Sequence, residues 1–318
     1  NHTALLVAAD RGHTNTVKEL LAAGADANAV MVRFHADGTM KENTTALLAA
    51  AGRGDMDMVK ELLAAGADAN AVMVGFHADG TMKENSTALL VAADRGHTNT
   101  VKELLAAGAD ANAVKGEFHA DGTMKENSTA LLVAADRGHT NTVKELLAAG
   151  ADANAVKGEF HADGTMEKNS SALLVAAGRG DMDMVKELLA AGADAKAVMV
   201  AFHADGTMAV NGTALLMAVD QGRTDMVKEL LAAGADANAV GVEFHADGTM
   251  KANSTALLVA AEGGHTDTVK QLLAAGADAN AVRVKFQADG TMKESSTALL
   301  VAVDQGRTDM VKELLAAG

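Results

Sequence analysis

Histidines recur along this chain at a fixed spacing, and imidazole is a common ligand of zinc. Six of the eleven histidines are 42 residues apart, at His35, His77, His119, His161, His203 and His245. Two ligands of one zinc ion must lie about 3 Å apart, whereas equivalent atoms of stacked repeats are separated by about 10 Å. We therefore interpret these imidazoles as partly exposed cross-strand neighbours of residues such as Thr39, available to a protein partner, and not as zinc ligands.

An aspartate and a glycine follow each of these histidines, and they also follow Gln287 at the seventh equivalent position. The aspartates are Asp37, Asp79, Asp121, Asp163, Asp205, Asp247 and Asp289. A carboxylate with one or two carbonyl oxygens could hold a weakly bound calcium ion, although the acidic run of an EF-hand loop is absent. Turn geometry is the simpler interpretation. Apart from such a calcium ion, we expect no cofactor.

Arginines form a third repeated set, just before a repeated glycine, and these are Arg11, Arg53, Arg95, Arg137 and Arg179. Stacked repeats would place their guanidinium groups in a row with a spacing of about 10 Å. Such a row suits a partner that carries carboxylates, because guanidinium and carboxylate match each other in geometry and charge. Arg33, in a variable segment, is a further candidate. A solvated rim of alternating charge is the equally open alternative.

The sequence contains no residue combination that predicts catalysis. Cysteine is absent, and Ser86, Ser128 and Ser254 fall where we expect helix caps, so a Ser–His–Asp triad has no support. Four further histidines follow a repeated glycine, where we expect them to cap a turn between helices: His13, His97, His139 and His265. No cluster supplies a nucleophile, a base and an orienting group together, and we expect no enzymatic activity.

The composition restricts the class of partner. The 318 residues carry 42 acidic and 27 basic side chains, a net charge of −15 and only 2% aromatic residues, which argues against binding nucleic acid. The apolar runs are too short to cross a bilayer, and without cysteine there is no disulfide framework. We expect a soluble protein with no membrane role. This is consistent with a reducing intracellular compartment, but the compartment itself is not determined.

A 42-residue repeat supplies the elements that position these side chains. Seven full repeats and a final one of 22 residues begin at Thr3, Thr45, Thr87, Thr129, Ser171, Thr213, Thr255 and Thr297. In each, the first residue can cap a short apolar helix, and a glycine such as Gly12 can end it. A second helix, about Thr14 to Ala23, carries Val17, Leu20 and Leu21 on one face. We expect residues 1–318 to form one α+β repeat solenoid domain.

The segment between helix pairs predicts a β-hairpin, because an Asp-Gly pair separates two extended runs. A three-residue loop that ends in left-handed Gly38 would pair Phe34 with Met40, whereas a two-residue turn would pair Phe34 with Lys41. We favour the first register because it would bury both large apolar side chains. Two strands span nearly 10 Å, so hairpins of adjacent repeats could join into a continuous sheet.

The unit TALLVAADRGHTNTVKELLAAGADANA resembles an ankyrin repeat. It departs from the family pattern at Ala4 and Leu6, where proline and histidine are usual, and by nine extra residues between Ala29 and Thr45 that lengthen the hairpin. The resemblance implies a stack of helix pairs, hairpins that project as fingers, and a concave face that grips other proteins. We therefore expect a non-catalytic interaction scaffold, with the calcium-binding repeat array as the alternative.

The repeats are unusually alike. The repeat from Thr87 differs from the next one only by exchanging Lys125-Glu126 for Glu167-Lys168. Neither end carries a polar capping repeat, so we expect end-to-end self-association. The near-identity also suggests an engineered protein with no natural ligand, and the absence of an initial methionine suggests a trimmed chain.

Overall fold

A computed structural model describes residues 4–203, 208–245, 247, 249–287 and 289–318. The chain divides into two compact units, Asn1–Gly164 and Thr165–Gly318. They are called the first and second units here, and each is an α+β solenoid of helix pairs and hairpins. The single domain over residues 1–318 stays a prediction.

The seven full repeats follow the order helix, helix, strand, strand, and the shorter last repeat has the two helices alone in its described residues. The helices of the first unit are α1 (Ala4–Asp10), α2 (Thr14–Ala22), α3 (Ala46–Arg53), α4 (Met56–Ala64), α5 (Ala88–Asp94), α6 (Thr98–Ala106), α7 (Ala130–Arg137) and α8 (Thr140–Ala148). Its strands are β1 (Val30–Phe34), β2 (Met40–Thr45), β3 (Val72–Phe76), β4 (Met82–Thr87), β5 (Val114–Phe118), β6 (Met124–Thr129) and β7 (Val156–Phe160).

The second unit repeats the same elements. Its helices are α9 (Ala172–Arg179), α10 (Met182–Ala190), α11 (Ala214–Asp220), α12 (Thr224–Ala232), α13 (Ala256–Gly263), α14 (Thr266–Ala274), α15 (Ala298–Asp304) and α16 (Thr308–Ala317). Its strands are β8 (Met166–Ser171), β9 (Val198–Phe202), β10 (Met208–Thr213), β11 (Val240–Phe244), β12 (Met250–Thr255), β13 (Val282–Phe286) and β14 (Met292–Thr297). None of the helices in the described ranges is long and apolar enough to cross a membrane.

The first residue of each described repeat caps its first helix. Thr45 has extended backbone, and its hydroxyl accepts a hydrogen bond from the Leu48 amide at 3.3 Å, which satisfies a donor that the helix leaves free. The same bond recurs at Thr87, Thr129, Ser171, Thr213, Thr255 and Thr297. Thr3 lies outside the described residues. The cap expected at the preceding serines is therefore wrong by one residue: Ser86, Ser128 and Ser254 are the last but one residues of strands β4, β6 and β12.

The turn between the two helices uses left-handed glycine and, in some repeats, an aspartate cap. Gly54 ends α3 with φ 70°, and the Asp55 carboxylate accepts from the Met58 amide at 3.0 Å. Where histidine replaces this aspartate, as at His97 and His139, the side chain makes no capping bond. The expectation that these histidines cap the turn is wrong, because neither side chain accepts a hydrogen bond from the second helix. His139 Nε2 lies 3.2 Å from the Asp94 carbonyl of the preceding repeat.

The core lies between the two helix layers of each unit. Leu47 and Leu48 of α3 and Val59 and Leu62 of α4 are each at most 5% exposed. Of the apolar face predicted in α2, Val17 is buried but Leu20 and Leu21 are half-buried. In α4 the first two equivalents are buried, and Leu63, the third, is half-buried. Truncating a fully buried leucine such as Leu62 to alanine costs about 2–5 kcal/mol, so this core contributes strongly to stability.

The hairpin register is as predicted, but the reason given for it is wrong. Phe34 pairs with Met40, a bulge follows Arg33, and Gly38 has φ 86°. The Phe34 ring is nevertheless 58% exposed and Met40 is 39% exposed. The local turn therefore selects the register, because the left-handed glycine lets the His35 amide reach the Thr39 carbonyl at 2.8 Å.

Neighbouring hairpins join by antiparallel pairing within each unit. In the first unit β2 pairs with β3, β4 with β5, and β6 with β7. In the second unit β8 pairs with β9, β10 with β11, and β12 with β13. The expected continuous sheet of fingers is confirmed inside each unit. The finger bases, which are the strand ends nearest the helices, lie beside the ends of the first helices.

Candidate protein-binding groove

A groove runs in each unit between the ends of the first helices and the bases of the fingers. In the first unit it contains cavities of about 450 and 390 Å³. Asp10, Arg53 and Arg95 line it from the helix side, and Met31 and Met73 line it from the finger side. The groove has this mixed lining because each repeat places a charged helix end opposite a long side chain at the start of a strand.

The arginine row lies on the helix side of the groove, but most of its described members already have partners. Arg53 Nη1 donates to the Asp10 carbonyl at 3.3 Å, Arg95 Nη1 donates to the Gly52 carbonyl, and Arg137 Nε donates to Asp94 Oδ1 at 2.9 Å. Each guanidinium thus reaches back to the end of the first helix of the preceding repeat. Carbonyls there lack helical partners, and the helix dipole favours positive charge.

These contacts leave part of each guanidinium free to bind. A guanidinium has five N–H donors, and the contacts above use one or two of them. The hydrogen bond to Asp94 raises the pKa of Arg137 above its ordinary value, so the group stays charged. The Arg11 side chain makes no hydrogen bond or ion pair with any described residue, Arg33 forms an ion pair with Glu42 at 2.9 Å, and Arg179 ends α9 in the second unit.

The finger bases add compensating charge. Lys115 donates to Glu117 at 2.7 Å, a bond that lowers the pKa of Glu117. Lys157 lies 3.3 Å from both Glu126 and Glu159. Burial opposes its charge, but the two carboxylates outweigh burial and raise the pKa of Lys157. The first-unit groove is therefore a surface of alternating, mutually paired charges.

The repeated finger histidines hold adjacent fingers together. His35 Nε2 lies 3.2 Å from the Phe76 carbonyl of the next finger, and His77 and His119 make the same contact at 3.3 Å. In the second unit His245 reaches the Phe286 carbonyl at 3.4 Å. His161 and His203 are half-buried as well. We predicted that these imidazoles are partly exposed and available to a partner. In the four histidines with a measured contact, one ring nitrogen faces a carbonyl of the next finger.

The Asp-Gly turns use one carboxylate oxygen internally. Asp37 Oδ1 accepts from the Thr39 hydroxyl at 2.7 Å and from the Thr39 amide at 2.9 Å, and both bonds lower the pKa of Asp37. The pKa is lowered in the same way at Asp79, Asp121, Asp247 and Asp289. Asp163 is exposed in its turn, and Asp205 lies outside the described residues. No group of three or more metal-binding side chains occurs among the described residues.

Asparagine ladders are the inter-repeat contacts that the sequence reading missed. Asn28 Nδ2 donates to the Gly66 carbonyl at 2.9 Å, and Asn28 Oδ1 accepts from the Asp68 amide at 2.8 Å. A second ladder runs along the fingers, where Asn43 accepts from the Val74 amide. The sequence signal was the near-invariance of these asparagines, which a role inside a single turn does not require.

Comparison with known proteins identifies the repeat. The family model described as ankyrin repeats (3 copies) matches residues 1–73, 72–157, 156–241 and 241–318. The search of curated proteins finds no match. Among solved structures, a crystal structure of an ankyrin repeat domain from Acinetobacter baumannii AYE is similar at 28% identity, over 72% of this chain and 97% of that one, with a TM-score of 0.48.

Proposed function

Because this chain belongs to the ankyrin-repeat family, whose members generally mediate protein–protein interaction, we propose that it is a non-catalytic scaffold that binds a protein partner along its groove and fingers. The observation that carries the proposal is the position of the variable residues. Residues that stack the repeats scarcely change, whereas the groove-lining residues differ from repeat to repeat. The variable helix-end pairs are Asp10-Arg11, Gly52-Arg53, Asp94-Arg95, Asp136-Arg137, Gly178-Arg179, Asp220-Gln221, Glu262-Gly263 and Asp304-Gln305.

The chemistry of the groove supports binding more than catalysis. Its arginines and carboxylates are held by neighbouring repeats, so they present a fixed pattern of donors and charges at little entropic cost on binding. Free N–H groups on Arg53, Arg95 and Arg137 favour a partner segment that carries carboxylates. The fingers extend this surface away from the helices.

A peptide library displayed on phage tests this proposal. We expect the binders selected on the wild-type chain to include acidic sequences. We expect their affinity for the variant R53A/R95A/R137A to be roughly tenfold lower, which corresponds to a loss of about 1.4 kcal/mol of binding free energy. The matched control is K18A/K60A/K102A, which removes three cations of the second helices that pair with Glu61, Glu103 and Glu145. Selected peptides that bind both variants as well as they bind the wild-type chain would contradict the groove as the binding surface.

The calcium alternative and the engineered origin stay predictions. Each described turn aspartate with a lowered pKa has its Oδ1 atom engaged by a threonine, so a calcium ion would depend on the second oxygen and on carbonyls. Calorimetric titration with calcium decides between the two functions: heat of binding, with a melting temperature that chelator lowers, would favour the calcium array.

A further inference from the structure

The groove of the second unit contains a cavity that differs from those of the first. Its volume is about 690 Å³, compared with about 450 and 390 Å³ for the first-unit cavities. Its lining includes the apolar side chains of Met199, Leu216, Met217 and Val259. Arg283 also lines it. The groove is otherwise lined by paired charges, so this apolar recess must come from residues that are particular to this repeat.

Two glycines produce the recess. Gly241 occupies the position at which the other repeats carry a long side chain, and these are Met31, Met73, Lys115, Lys157, Met199 and Arg283. Gly212 occupies the position at which the others carry serine or threonine. Val210 pairs with Glu243 across β10 and β11, and the same register places Gly212 opposite Gly241. Two facing side chains are therefore missing at one point of the sheet.

The missing side chains uncover a core leucine. Leu216 is only half-buried, whereas its equivalents in the other full repeats are buried, and these are Leu6, Leu48, Leu90, Leu132, Leu174 and Leu258. A Cβ atom built at Gly241 lies 3.2 Å from Leu216 Cδ1, so Leu216 leans into the space that a side chain would fill. A Cβ atom at Gly212 meets nothing within 4 Å. An apolar occupant would thus remove Leu216 from water, which is favourable.

The charges at the rim are unequal. The Arg283 side chain is only 9% exposed and pairs with Glu262 and, at 3.3 Å, with Glu294, so its charge is compensated. Its Nε atom is buried and has no hydrogen-bond partner among the described residues. Asp220, at the end of α11, is exposed and makes no hydrogen bond or ion pair with the described part of the chain. Lys293 on β14 also lines the cavity and has no partner among the described residues, but Asp220 follows Leu216 by one helical turn on α11. The unpaired charge on the helix that carries Leu216 is therefore negative.

We propose that this cavity binds a leucine- or methionine-sized side chain of a partner protein, followed by a lysine or arginine that pairs with Asp220. The size follows from the missing side chain at Gly241, which is a methionine in three other repeats. The basic neighbour follows from the free carboxylate. This inference rests on the proposed scaffold function and names the anchor that the second unit recognises.

Methyl NMR of the full chain tests the proposal, with ¹³C-labelled methionine methyl groups as probes. Met199 and Met217 line the cavity, whereas Met31 and Met73 line the first-unit groove and report general binding. Short acetylated peptides that differ only at a central Leu-Lys, Ala-Lys or Leu-Glu pair are titrated. We expect Leu-Lys to shift Met199 and Met217 selectively, Ala-Lys to bind at least about tenfold more weakly, and Leu-Glu to bind several-fold more weakly.

Two substitutions at these glycines fill the recess, and neither requires a new backbone conformation. Gly241→Met installs the residue of equivalent repeats, and Gly212→Ser installs the common serine in open space. We expect Gly241→Met to abolish the Leu-Lys shifts, Gly212→Ser to weaken them, and Asp220→Asn to remove the preference for Lys over Glu. Equal shifts in Gly241→Met, shifts confined to Met31 and Met73, or no shifts at all would overturn the proposal. The phage selection with the arginine variant reports on the scaffold function separately.

Discussion

At the scale of single residues, the repeated polar side chains mainly satisfy one another. His35 and Arg53 reach carbonyls of adjacent repeats, and Asp37 accepts two bonds from Thr39. The sequence predicted which residue types recur, and it predicted the caps and the turn aspartates, because those contacts are local. It could not assign the partners of the histidines and arginines, because those partners lie 41 or 43 residues away.

The turn aspartates make acid stability a residue-level prediction. The pKa of Asp121 is lowered by hydrogen bonds from the Thr123 hydroxyl and amide. A carboxyl whose folded pKa lies below its unfolded pKa stabilises the fold fully above the unfolded value of about 3.9, and this contribution is lost as pH falls through the folded pKa. We expect ¹³C NMR titration to give Asp121 a pKa below that value, and Thr123→Val to move it upward. An unchanged pKa in Thr123→Val would show that its hydroxyl is not the cause.

At the scale of elements, the asparagine ladder is the contact that fixes one helix pair on the next. Asn70 donates to the Gly108 carbonyl at 3.0 Å and accepts from the Asp110 amide at 2.8 Å. Lysine replaces this asparagine only at Lys196. Lysine has no acceptor, so it cannot receive the amide of Asp236, the residue equivalent to Asp110. The ladder of the second unit is therefore incomplete at this repeat.

Restoring the ladder should stabilise the protein. We expect Lys196→Asn to raise the free energy of unfolding by about 1 kcal/mol, because it adds two hydrogen bonds at an exposed site. Asn70→Lys in the first unit is the matched reverse change and should lower it by about the same amount. Urea unfolding followed by circular dichroism measures both. If both substitutions shift stability in the same direction, the ladder is not the source of the difference.

At the scale of the whole molecule, the last described repeat exposes apolar side chains that are buried in other repeats. Leu300, Val303 and Leu315 are 60%, 58% and 63% exposed, whereas Leu258, the equivalent of Leu300, is fully buried. Exposed apolar faces of this kind are association surfaces. We propose that this chain self-associates through the face of α15 and α16.

Sedimentation velocity over a range of protein concentrations measures this association. We expect the wild-type chain to form larger species as concentration rises, and Leu300→Lys with Leu315→Lys to remain monomeric, because two buried charges would oppose the contact. Val240→Lys with Val282→Lys places equal charge on exposed finger-base residues and should leave association unchanged. A wild-type chain that stays monomeric at high concentration would contradict this prediction.

The sequence by itself determined the repeat period, because the same residues recur every 42 positions. It also determined the helix pairs, the threonine caps of the first helices and the Phe34–Met40 register, because each of these depends on residues only a few positions apart. The tertiary structure decided what the groove presents. In it, the arginine row and the finger histidines contact neighbouring repeats, and Leu216 is uncovered where Gly212 faces Gly241. These outcomes depend on the offset between stacked neighbours and on side chains that are missing, and spacing along one chain cannot show either.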